Sequence, residues 1–203
     1  MNQISLMSLR LQAYRMVMNK MSFDISITGE EELSKRILGR RPSSNAKVYD
    51  DYHLMLMLGL AAGRPTTKTN PDVGEIRNFY QGTSPPENYR NSWPNIVGLV
   101  INNVVRDELG DEVEKSELNA IIQTLVSNDA EDTFTSLFWE KINGFALTGA
   151  LKIIEIPNEP MTWDEFLHFR YLPLLEALNE DKNGDGTTTS EEDLFEEWNS
   201  EDS

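Results

Sequence analysis

The sequence predicts an all-α protein, a single helical domain of about seven or eight helices. Three observations carry this. Apolar residues recur at alternating spacings of three and four from Ile4 to Met21, the seam spacing of a packed helix. Residues Tyr52 to Ala62 are apolar on nearly every face, as a central buried helix must be. Two Thr-x-x-Glu sequences, Thr28 to Glu31 and Thr162 to Glu165, have the form of helix-opening capping boxes.

Taken in order, Ile4, Met7, Leu11, Tyr14, Met18 and Met21 form the N-terminal seam, widened by Leu6, Leu9, Ala13, Met16 and Val17. Methionine dominates it, and methionine suits adaptable contacts, so residues 1–22 are a candidate surface for a partner or for self-association as well as for core packing. Three basic and no acidic residues in this stretch faintly resemble a transit peptide; it reads instead as a retained helix, and no secretory signal is recognised. Thr28 as N-cap with Glu31 three positions later opens the next helix, which Gly39 and Pro42 close. Residues 45–62 form a further helix. From Gly63 to Asn91 the chain is rich in Pro, Gly, Asn and Thr, a long surface excursion with one short candidate helix at 72–80; such excursions often face partners.

Pro94 can begin a helix, and Ile96, Val97, Val100, Ile101, Val104 and Val105 keep helical spacing up to Gly110. Asp111 with Glu114 caps another, with Leu118, Ile121, Ile122, Leu125 and Val126 as its apolar set. A helix from about Thr133 carries Leu137, Phe138, Trp139 and Ile142, and the loose alternation of Leu151 to Ile156 predicts a short extended piece before the Pro157 to Pro160 linker. Thr162 then starts a helix to about Asn179 that Pro173 kinks. The organisation is a helical core over 1–160 and a helix-loop-helix with an acidic tail over 161–203.

The 203 residues carry a net charge of -16, distributed unevenly. Glu176 to Ser203 hold eleven carboxylates against one lysine, Lys182, whereas the first 47 residues carry eight Lys/Arg against four acids. The acidic end repels nucleic acid, so no nucleic-acid partner is expected. The basic residues of the first half read as a solvated face. Cysteine is absent, which excludes disulfides, thiol catalysis and thiolate metal sites. No apolar run approaches the roughly 20 residues that span a bilayer. Phosphate-binding glycine loops, nucleophile elbows and zinc helices of the H-E-x-x-H form are also missing.

One segment carries specific chemistry. Asp181-Lys182-Asn183-Gly184-Asp185-Gly186-Thr187-Thr188-Thr189-Ser190-Glu191-Glu192 places oxygen-bearing residues at positions 1, 3, 5, 7, 9 and 12 and glycine at position 6. A hard cation with six or seven coordination sites needs oxygens delivered by a chain that turns sharply, and Gly186 permits that turn. The segment resembles a single EF-hand calcium loop. The resemblance implies Ca²⁺ held by side-chain oxygens of Asp181, Asn183 and Asp185, the carbonyl of Thr187, Thr189 directly or through water, and both carboxylate oxygens of Glu192. Residues 129–140 have acids at loop positions 1, 3 and 12 but Phe134 where glycine is needed, so the loop stands alone. A lone loop with three carboxylate ligands implies affinity on the order of 10⁻⁵ to 10⁻³ M, suited to stabilising rather than sensing.

The functional expectation is a calcium-binding, non-enzymatic structural or assembly protein in which Ca²⁺ orders the C-terminal segment and residues 1–22 and 63–91 face a protein partner. A component of a larger assembly such as a virion fits these features. Two alternatives come from other classes. Asp50 with His53 and Glu165 with His168 have the acid-x-x-His spacing that di-iron carboxylate enzymes use. A calcium sensor would expose an apolar groove on binding.

Overall fold

The computed structural model describes residues 15–18, 20–40, 48–82, 93–98, 100 and 131–184. Helix α1 covers Ile27–Arg36, α2 Val48–Ala62 and α3 Glu131–Glu155; α4, Trp163–Phe166, runs through a π-helical turn at Leu167–Tyr171 into α5, Leu172–Gly184. Between them lie strands β1, Met21–Ser26, and β2, Ile76–Gly82, paired antiparallel as a two-stranded sheet. That sheet corrects the expectation of an all-α domain of seven or eight helices. Of the helices expected at 94–110 and after Asp111, only residues 93–98 and 100 are described, and these are helical.

The strand pair overturns three local expectations. The N-terminal seam is helical at residues 15–18 but does not reach Met21, which opens β1. Val17, Met18 and Met21 are buried in the core, so this end of the seam is not a free partner surface. The candidate helix at 72–80 is instead a 3₁₀ turn, Pro71–Val73, leading into β2. The register runs from Met21 opposite Gly82 to Ser26 opposite Ile76, with a bulge between Phe23 and Asp24. A bulge breaks the two-residue alternation of strand faces, and Phe23, Asp24, Ile25 and Ser26 are all buried in succession.

The first helix is capped two residues earlier than the Thr28 box implies. Ser26, the last residue of β1, accepts from Gly29 N at 3.0 Å and donates its hydroxyl to Val73 O at 2.6 Å, so one side chain caps α1 and ties it to the 3₁₀ turn. Thr28 falls inside the helix, which ends at Arg36 with Gly39 at φ 74° in the turn beyond.

Among the described elements α2 and α3 form the most extensive contact, with β1 and α1 also packed on α3 and α5 on α2. α2 is buried through Tyr52, Met55, Leu56, Leu58 and Leu60, as its uniformly apolar sequence requires. α3 continues through Leu151 to Glu155, where an extended piece was expected; Ile153 is fully buried, and Arg36 closes the helix end. Arg36, 3% exposed, donates to Ile156 O through Nε and Nη2 (2.9 and 2.6 Å) and to Ile154 O at 3.1 Å, while Nη1 meets the Glu32 carbonyl and carboxylate. Those carbonyls are the ones a helix C-terminus leaves without partners. Among the described residues no helix is long and apolar enough to cross a membrane.

Candidate functional site

The helix that leads into the calcium-loop sequence is built from local signals and fastened to the core. Thr162 caps it: its hydroxyl accepts from Glu165 N at 3.4 Å, and the Glu165 carboxylate accepts from Thr162 N at 2.9 Å, the capping box expected from the sequence. The backbone and hydroxyl hydrogen bonds from Thr162 hold the Glu165 carboxyl below its usual range. Pro173 has no N–H to give, and the turn before it is π-helical, with Leu172 N donating to Leu167 O. Phe166 and Tyr171 are buried against the core, and Tyr171 donates its hydroxyl to Leu54 O at 3.0 Å.

Of the six expected ligands, Asp181 and Asn183 lie in the last turn of α5, which ends at Gly184; Asp185, Thr187, Thr189 and Glu192 lie outside the described residues. Positions 181 and 183 are about 200° apart around a helix, at about 100° per residue. Glu176 and Glu180 are exposed and Asp181 follows, so carboxylates gather where the helix dipole is negative.

Both acid-histidine pairs lie among the described residues. Glu165 is committed to the capping box, and His168 Nδ1 lies 3.0 Å from Asp164 O. His53 is half-buried in α2, and burial pulls its pKa below the usual 6.5. Among the described residues no group of three or more histidine or carboxylate side chains is placed to hold a metal. Residues 131–140, the last ten of the twelve in the incomplete loop sequence, are helical in α3.

The structure also assembles a polar cleft that sequence reasoning missed. It lies between β1, the loop 64–70 and the start of α3, and has a volume of 910 Å³. The loop is pinned to α3 by Thr66 N donating to Gly144 O at 3.1 Å and by Thr148 Oγ1 donating to Arg64 O at 2.7 Å. Gly144 allows this approach, because a Cβ there would lie 2.6 Å from Thr66 O.

The floor of the cleft is Asp24 and Asn143, 5% and 2% exposed. Asn143 Oδ1 accepts from Asp24 N at 3.1 Å and from the Tyr52 hydroxyl at 2.9 Å, while its Nδ2 donates to Ser22 O at 2.9 Å and to Asp24 Oδ2 at 3.1 Å. Asp24 also accepts from Asn78 Nδ2 at 2.9 Å and pairs with Lys68, whose side chain is half-exposed. Burial first, and the Asp24 charge second, push the Tyr52 phenol well above its usual 10. Buried polar groups this fully satisfied fix side-chain orientation. No short motif links Asp24, Lys68 and Asn143, which come from three distant segments.

No family model, no curated protein and no solved structure matches this chain.

Proposed function

We propose that this chain is a calcium-stabilised, non-enzymatic binding or assembly protein, in which Ca²⁺ held by residues 181–192 orders the C-terminal segment against the helical core. What carries the reading is the ligand pattern Asp181, Asn183, Asp185, Thr187, Thr189 and Glu192, directly continuous with a helix anchored through Phe166 and Tyr171. A cation there relieves the repulsion among carboxylates at the negative end of α5. Because positions 181 and 183 diverge on a helix, binding unwinds the last turn of α5 as the ligands converge. Contacts with a protein partner fall to exposed parts of the two partner segments, the loop at 67–69 among them.

Hydrogen exchange tests the coupling. Calcium at millimolar concentration slows amide exchange across 185–203 and speeds it at 182–184, leaving α2 and α3 unchanged. Identical exchange with and without calcium overturns the reading.

A further inference from the structure

The cleft beside Asp24 is of a size and chemistry that suit a small ligand. Its 910 Å³ falls within the roughly 300 to 1,000 Å³ of small-molecule sites. The charges lining it, Lys20 and Lys68 against Asp24 and Glu140, balance, and Asp24 is already matched by Lys68, Asn78 and Asn143. A free anion finds no net positive field here, and a divalent cation would have to displace Lys68 from Asp24.

The walls offer hydroxyls. On one side Thr67 and Thr69 stand in the exposed loop with their Oγ1 atoms 2.8 Å apart. On the other, Thr135 in α3 is 4% exposed, and its hydroxyl has no hydrogen-bond partner. A threonine in a helix can bond its hydroxyl back to the preceding turn, and a buried hydroxyl that does not carries a desolvation cost with no return. Thr135 lines the cleft together with Trp139 and Asn143. Trp139 supplies an apolar stretch of wall and is held in place by its Nε1, which donates to Val17 O at 3.2 Å. An apolar wall with a few fixed polar groups is the usual composition of a ligand site.

We infer that this cleft binds an uncharged polyhydroxylated ligand, a saccharide, whose hydroxyls bridge Thr67 and Thr69 on the loop to Thr135 on α3 across the Asp24–Asn143 floor. The loop is held by Gly144 and Thr148 on α3, so the two walls keep a fixed separation before ligand arrives, which lowers the ordering cost of binding.

The test is titration of the full chain with cellobiose, with N-acetylglucosamine and, separately, with inorganic phosphate, followed by amide-resolved NMR. A saccharide shifts amides at 64–70 and 135–144, and phosphate does not. Thr135→Val keeps the side-chain volume and leaves the melting temperature unchanged or higher, yet weakens saccharide binding about tenfold. The exposed double variant Thr67→Ala/Thr69→Ala tests the opposite wall and weakens binding by a similar factor; it decides the matter if Thr135→Val does not fold. Absence of saccharide shifts up to about 100 mM, unchanged affinity in the variants, or a response to phosphate alone overturns the inference.

Discussion

Gly59 of α2 lies directly against the backbone of Phe145 in α3: a Cβ built on it would sit 1.7 Å from the Phe145 carbonyl oxygen. The relation is reciprocated one turn along, where a Cβ on Gly149 would lie 1.7 Å from Met55 O. Two glycines, one on each helix, thus set how closely the central pair packs. Gly59→Ala must push two backbones apart, because no flexible side chain can yield, and it destabilises by about 3 kcal/mol or more. Gly98 provides the contrast, with nothing within 4 Å of its Cβ position, so Gly98→Ala stabilises by about 0.5 to 1 kcal/mol. Urea denaturation of both variants checks the opposite signs.

Arg36 is the clamp between the end of α1 and the end of α3. Arg36→Ala strands the Ile154 and Ile156 carbonyls and costs about 3 to 5 kcal/mol. Arg36→Lys recovers little of this, since one ammonium cannot reproduce the planar fork that reaches both carbonyls and Glu32. Equal stability of the lysine variant and the parent protein would contradict the assignment.

The cleft floor is graded in cost. Tyr52→Phe removes one donor to Asn143 Oδ1, which still accepts from Asp24 N, and the loss is about 1 kcal/mol. Asn143→Leu removes its hydrogen bonds to Ser22 O, the Tyr52 hydroxyl and Asp24 N together and costs about 3 kcal/mol or more. Thermal unfolding of the two variants reads the order directly.

How much of this the sequence carried depended on whether the cause was local. The Thr162–Glu165 box is decided within a few residues and is found, and Pro173 is preceded by a π-helical turn. The buried α2 was legible because a helix apolar on every face has no solvent side. The sheet was not. β1 and β2 are separated by forty-nine residues, and the bulge at Phe23/Asp24 erases the alternation that marks a strand, so Met21, at seam spacing from the helical Met18, reads as one more helical position. Thr28 lost its capping role to Ser26 because the strand delivers Ser26 to the helix start, a tertiary cause. The cleft residues were invisible for the same reason: Asp24 meets Asn143 across 119 positions. The calcium-loop reading is a sequence expectation carried by six ligand positions in one stretch of twelve, four of which lie outside the described residues.

Acid titration separates two glutamates of α1. Burial raises the Glu30 carboxyl above its ordinary 4.5, with Arg77 opposing, so its contribution is most favourable below pH 4.5 and is lost as pH rises through the folded value. Hydrogen bonds from Arg36 and then Lys35 lower Glu32, whose contribution is present above pH 4.5 and is lost as pH falls through its folded value. Glu32→Gln therefore flattens the loss of stability on acidification below pH 4.5, whereas Glu30→Gln removes a gain in stability that the parent protein shows as pH falls toward 4.5 from above. Stability measured across pH 3 to 7 in both variants distinguishes these signs.

Calorimetric titration of calcium into the full chain and into Asp181→Ala tests the central claim most directly. The parent chain gives a one-site isotherm with Kd on the order of 10⁻⁵ to 10⁻³ M, and the variant gives no heat of binding over the same range. Binding heat that persists undiminished in Asp181→Ala, or none in the parent chain, contradicts the assignment of calcium to residues 181–192.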